Sequence, residues 1–371
     1  MAQNKGIFKS NKVRFVVFLC IIALVIFGCS QVFGFADAEK SNEIMGNYYK
    51  QTKNTVDCVY FGSSATQRAW VVPLAYHDEG VASFSLACGT QPFILTQYLM
   101  EEAQKNQDPK LFIVEMRGVC QDPDALWDVS VRRMVDNMRP SVNKFRAIKA
   151  VTEYAKHGPN SVDLTGLSYY IPLFKYHSRW NPSKKPHYGH VDHYKGYALE
   201  PTCTFDVTEI HPIQDDYETC PIDKYTEEVL IQLLDYCDTI DADVLFVMSP
   251  YEATDYGWER MNYAKEIIES RGYEVLNFLG SEMREDTVGL GNNTCYYNRE
   301  HLNMYGSMKY TDFLAKYIRE NYDIPDRRGD SKYADWAEEY DRLETNLEEG
   351  IYKDQYNDMM TTIKEREAGA K

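Results

Sequence analysis

The chain has 371 residues, 44% hydrophobic and 26% charged, with ordinary Gly and Pro content. That is enough chain for one large folded domain or two small ones, and it excludes a disordered protein. Net charge is −16, but Lys5, Lys9, Lys12 and Arg14 precede the first acid, so the rest carries −20 and repels nucleic acid and anionic headgroups at long range.

Residues 1–14 read as a basic tail. From Phe15 to Phe35 the chain is almost continuously apolar, which matches the roughly 20 residues that span a bilayer core. The basic flank is expected to stay in the cytoplasm, giving a single-pass cell-membrane protein whose bulk is extracellular. Two other readings also place the bulk outside: a cleaved signal peptide, and a lipoprotein signal ending Ile26-Phe27-Gly28-Cys29.

Residues 38–53 read as a juxtamembrane helix. Short apolar strands are predicted at Asp57–Gly62, Ala82–Ala87, Lys110–Glu115, Ala242–Met248 and Tyr273–Asn277. Helical patterns at 92–106, 143–156, 225–240 and 258–271 fall between them. Strands buried on both faces and alternating with helices predict a doubly wound, flavodoxin-like α/β domain over 38–322, with its ligand beyond the carboxyl ends of the strands. Residues 157–222, rich in Tyr, Pro and His, read as an insertion that forms a lid or substrate wall or is inert. Residues 323–371 read as a charged helical extension that packs back through Trp336.

The nine cysteines contain no Cys-x-x-Cys pair, so a zinc ribbon is not indicated. Cys58, Cys88 and Cys237 read as buried apolar residues. Cys203 and Cys220 are able to pair in an oxidising compartment. His187, His190, Asp192 and His193 suit zinc or make an ordinary polar loop. Asn292-Asn293-Thr294 fits a glycosylation acceptor.

Tyr60-Phe61-Gly62-Ser63-Ser64-Ala65 puts two serines where the first strand turns into a helix. Either one caps that helix, or one is an exposed nucleophile. Asn298-Arg299-Glu300-His301-Leu302-Asn303-Met304-Tyr305-Gly306 runs into a last helix, and His301 is a candidate general base. Together these blocks, with Gly89-Thr90-Gln91-Pro92 and His177-Ser178-Arg179-Trp180, make residues 55–320 resemble the SGNH/GDSL hydrolases. The resemblance is to the membrane-anchored bacterial branch that includes the D-alanyl transfer protein of teichoic acid synthesis.

The resemblance implies Ser64 as nucleophile, His301 as base and Asn298 at the position of the triad aspartate. It implies Gly89 as an oxyanion-hole donor with the Ser64 amide. Loss of a triad Asp costs about 10⁴ in rate, so a Ser–His dyad, Glu300 or Asp286 is expected to compensate. No Asn donor follows the third strand, and Gln91 is the candidate replacement. Glu115 is either a pocket acid or a satisfied structural carboxylate. His177, Arg179 and Trp180 either hold an anionic or sugar group or pin the insertion.

The implied activity is that of a serine esterase or O-acyltransferase. It would act on acetyl or D-alanyl groups of a cell-envelope polysaccharide or teichoic acid, with no cofactor and no metal, next to a membrane-bound O-acyltransferase. The alternative is a non-catalytic domain that binds envelope glycan or scaffolds such an acyltransferase. A third reading is a zinc enzyme using the His187–His193 loop.

Overall fold

A computed structural model describes residues 11–33, 43–159, 164, 166–180, 194–202, 218–291 and 293–369. The zinc-suited histidines, Cys203 and Asn292 lie outside these residues. Helix α1 (Asn11–Phe33) has no acid and is about 34 Å long at 1.5 Å per residue. Among the described residues it is the one helix long and apolar enough to cross a membrane. Helix α2 (Glu43–Lys50) begins the folded domain by burying Ile44, Met45 and Tyr48.

Five parallel strands form where the apolar runs predict them. β1 (Cys58–Gly62) is followed by α3 (Ser64–Ala69) and α4 (Val72–Glu79). Next come β2 (Ser83–Ala87), α5 (Thr96–Ala103) and β3 (Leu111–Glu115). The predicted helix over 92–106 is shorter because Pro92, with no N–H to donate, leads into a 3₁₀ turn at Phe93–Leu95 before α5. A long connection then carries α6 (Asp128–Val135), α7 (Val142–Ala155), α8 (Leu173–Tyr176) and α9 (Lys224–Cys237).

β4 (Asp243–Met248), α10 (Asp255–Ser270) and β5 (Glu274–Asn277) complete the sheet. A two-stranded hairpin follows, β6 (Tyr296–Asn298) against β7 (His301–Leu302), and then α11 (Met304–Asn321), α12 (Ala334–Glu348) and α13 (Lys353–Gly369).

The order β2-β1-β3-β4-β5 reverses direction after β2. Right-handed crossovers therefore put α4 on one face and α5, α9 and α10 on the other, with α11 packed beside α4. β1, β2 and β3 are buried almost throughout, which explains why β1 and β3 read as nearly continuous apolar runs, while β2 buries Ser83 and Ser85 between its apolar residues. The reversal leaves a crevice at the carboxyl ends of β1 and β3, where ligands bind in sheets of this order.

The outer edge of β2 is covered by two distant segments. The Ser85 amide donates to the Lys195 carbonyl at 3.0 Å, and Gly196, at φ +95°, passes so close that a Cβ would lie 1.9 Å from the Ser85 oxygen. The Trp336 indole donates to the Ser83 carbonyl at 3.1 Å, and the Lys195 ammonium sits 3.7 Å over its ring. The end of the insertion and the C-terminal helices thus close an edge that would otherwise expose unpaired backbone groups.

Candidate active site

Strands β1 and β2 leave the sheet in register, with Gly62 opposite Ala87. Ser63-Ser64 and Cys88-Gly89 therefore emerge side by side, and the Cys88 amide still donates to the Gly62 carbonyl at 3.2 Å. The two serines divide the roles that the sequence left open. Ser63 caps α3: its hydroxyl accepts from the Ala65 amide at 3.2 Å. Ser64, the first residue of the helix, turns its hydroxyl toward the hairpin.

Ser64 Oγ lies 2.7 Å from His301 Nε2, across 237 residues of chain. His301 Nδ1 lies 2.9 Å from Asn298 Oδ1. The same oxygen accepts the Glu300 backbone N–H at 2.9 Å. A backbone N–H can only donate, so the atom facing it is the amide oxygen and not the nitrogen. That oxygen then requires a proton on Nδ1, which leaves the Nε2 lone pair for the Ser64 hydroxyl. Asn298 thus selects the tautomer a general base needs, as Asn does in Cys-His-Asn proteases, but adds no charge to steady an imidazolium.

The motif around His301 has a local physical cause. Asn303 caps α11 by accepting from the Gly306 amide at 3.0 Å, and its Nδ2 donates to the Thr294 and Tyr296 carbonyls at 2.8 and 3.2 Å. Its side chain is fully buried, so one residue fastens the hairpin to the helix. Gly306 is required because a Cβ there would sit 2.2 Å from the Cys295 carbonyl. Helix α11 is in turn bonded to α3: Ser307 Oγ donates to the Arg68 carbonyl at 2.6 Å, and Thr311 Oγ1 accepts from the Val71 amide at 2.9 Å.

Glu115, at the end of β3, is buried beneath the nucleophile. Its carboxylate accepts the Ser63 amide at 2.9 Å and the Arg117 amide at 3.2 Å. Burial pushes its pKa above the usual carboxylate value, and the Ser63 amide and Arg117 oppose that rise. With both oxygens bonded to backbone amides, Glu115 holds the strand-to-helix corner from below.

Three arginines that the sequence reading did not single out surround the pair. Arg68 follows Ser64 by four residues, on the same helix face, and pairs with Glu200 at 2.9 Å. Arg117 lies over the Tyr251 ring at 4.3 Å and pairs with Glu300 at 3.3 Å. Glu300 is thereby engaged by arginine, and the oxygen facing His301 Nδ1 is that of Asn298. Arg133, on α6, donates to the Gly89 carbonyl at 2.9 Å. Burial first, then Arg68 and Arg117, lower the His301 pKa from 6.5 to about 3, so the ring is neutral at pH 7. Spacing makes Arg68 legible in the sequence, as does position at a strand end for Arg117. Arg133 and Glu200 carry no such signal.

Among the described residues the Ser64 and Gly89 amides donate to no protein acceptor. Gln91 is buried and its Oε1 has no partner there. His177 is exposed on the turn after α8, with Nδ1 3.1 Å from the Phe174 carbonyl of its own turn. Arg179 lies within that turn, His177–Trp180, and its side chain is outside the described set. Asp286 sits in a π-helical turn, Glu282–Thr287. The described residues contain no group of three or more His, Cys, Asp or Glu able to hold a metal.

Comparison with protein-family models and with curated proteins returns no match.

Proposed function

We propose that the protein is a membrane-anchored serine esterase or O-acyltransferase of the SGNH type. Its active domain would lie outside the cytoplasm and act on O-linked acetyl or D-alanyl groups of a cell-envelope polymer. The observation that carries this reading is the relay from Ser64 through His301 to Asn298, at 2.7 and 2.9 Å. The α1 helix and its basic tail support the location. The β2-β1-β3-β4-β5 order supports the reading, since sheets of this order bind ligands at their carboxyl edge, where Ser64 stands.

In the proposed reaction Ser64 Oγ attacks the acyl carbonyl while His301 Nε2 takes the hydroxyl proton. The oxyanion that forms faces the amides of Ser64 and Gly89. Collapse breaks the ester C–O bond, and His301 returns the proton to the departing alkoxide. Water or a second hydroxyl then attacks the acyl-Ser64 ester, His301 again taking and returning one proton. Glu115 holds the corner that carries Ser64. Teichoic acid or another envelope polysaccharide is the proposed acyl carrier, and a membrane-bound O-acyltransferase the proposed neighbour.

A second reading has its own observation. With a pKa near 3, His301 resists becoming imidazolium, which suits a domain that only binds envelope glycan or scaffolds a neighbouring acyltransferase. One experiment separates the two. The full chain is treated with a fluorophosphonate probe and the adduct located by peptide mass spectrometry. A single adduct on Ser64, lost in Ser64→Ala and in His301→Ala, supports the enzyme. No adduct on Ser64 in the folded protein supports the binding role.

A further inference from the structure

Helix α7 buries one face and exposes another. Val142, Phe145, Arg146 and Lys149 fall at i, i+3, i+4 and i+7 on one stripe, and all four are exposed. Val142 is 77% exposed and Phe145 55%. Next to Phe145, with ring centroids 5.5 Å apart, is Tyr170. Tyr170 belongs to two consecutive turns that also expose Leu167 at 69% and Phe174 at 51%. A soluble surface scatters such residues singly; five together mark a contact with something apolar.

The position of this patch relative to the anchor says what that something is. The nine residues between Phe33 and Glu43 span at most about 36 Å, so α2 cannot lie far from the membrane that α1 enters. The tether's own helix then bonds to the chain that leads into the patch. The Tyr49 hydroxyl accepts from the Arg139 amide at 3.2 Å, and the Arg139 guanidinium covers the Tyr49 ring at 4.2 Å. Three residues later α7 begins at Val142. The exposed stripe therefore stands beside the point where the tether enters the domain.

Chemistry at the rim agrees. Arg139, Arg146, Lys149 and Lys175 are exposed around the apolar residues, in a domain whose overall balance is strongly acidic. Arg146 and Lys175 are paired with Glu101 and Asp128, at 2.6 and 3.1 Å. Aromatic side chains flanked by long basic ones are the residues that settle at the headgroup level of a bilayer, the rings at the acyl boundary and the cations outward.

We propose that Val142, Phe145, Leu167, Tyr170 and Phe174 form a docking face that rests on the surface of the bilayer crossed by α1, fixing the domain's orientation to the membrane. The proposal rests on α1 being a membrane anchor. The test reconstitutes the full chain, one copy per disc, in phosphatidylcholine–phosphatidylglycerol nanodiscs carrying a diazirine-labelled phospholipid. Lipid adducts are mapped by peptide mass spectrometry after illumination.

Adducts within residues 11–33 report the anchor by itself, so its failure is seen separately. Docking predicts further adducts on peptides covering 139–149 and 166–175 and few on α13. The triple variant Phe145→Ser, Leu167→Ser, Phe174→Ser is expected to cut those adducts about tenfold, given the apolar area it removes, while leaving the 11–33 adducts unchanged. Adducts confined to residues 11–33 would overturn the proposal. Equal adducts on α13 and on the patch would overturn it too, since the domain would then have no fixed orientation.

Discussion

Replacing Asn298 by Asp tests the relay most directly. The exchange is nearly isosteric and puts a carboxylate where an amide oxygen now sits 2.9 Å from His301 Nδ1. The geometry is already set by the Glu300 amide, which donates to the same atom at 2.9 Å, so the main change is charge. At an effective dielectric of about 20, two unit charges about 4 Å apart interact by about 4 kcal/mol, or about three pH units. Desolvation of the new carboxylate takes back part of that, leaving an expected rise of about one to two units.

The His301 pKa should therefore climb by about one to two units from about 3, staying below its ordinary 6.5. Each pH unit of added imidazolium stability is worth up to about tenfold in a step that places a proton on Nε2. Histidine-selective NMR titration gives the pKa, and the rate of Ser64 labelling by a fluorophosphonate gives the consequence. Asn298→Leu is the counterpart: it removes the acceptor for Nδ1–H and should slow labelling. An unchanged His301 titration in folded Asn298→Asp would refute the placement of residue 298 against Nδ1. Slower labelling in that variant would refute the tautomer assignment.

Acid should unfold the domain partly through the same histidine. The folded protein keeps His301 neutral down to about pH 3, whereas the unfolded chain protonates it near 6.5, so unfolding takes up a proton between those values and stability falls as pH falls through that window. Burial raises the Asp136 and Glu339 pKa values to about 6 and about 7, which acts in the opposite sense. Comparing urea midpoints at pH 7 and pH 4 for wild type and His301→Gln isolates the histidine, and the variant should show the smaller loss on acidification. Gly62→Ala puts a Cβ 2.2 Å from Thr66 Oγ1 and 2.6 Å from Glu115 Cβ; it should cost about 1–3 kcal/mol in chemical unfolding and slow Ser64 labelling. Trp336→Ala removes a fully buried indole that bonds to the Ser83 carbonyl; a loss of about 3–5 kcal/mol is expected, and wild-type stability in the variant would show that the C-terminal helices are dispensable to the fold.

The sequence alone determined that one N-terminal helix is apolar enough to cross a membrane, and it determined the strands of the sheet. Twenty-three residues without an acid make α1 long and apolar enough to span a bilayer, and strands buried on both faces are apolar at most positions, so β1 to β4 announced themselves. It also marked Ser63-Ser64 and His301 as two blocks to be joined, because each stands where the chain turns into a helix. Tertiary structure decided the rest. Which serine caps and which faces the histidine depends on contacts 237 residues away. That Asn298 acts through its oxygen depends on a single backbone amide, and that Glu300 is drawn to Arg117 depends on the end of another strand. Arg133, Glu200, Lys195 and Trp336 reach the site or the sheet edge from segments whose periodicity says nothing of where they go. Local pattern encodes which face of an element is buried, whereas the partner that buries it is chosen only when the chain closes on itself.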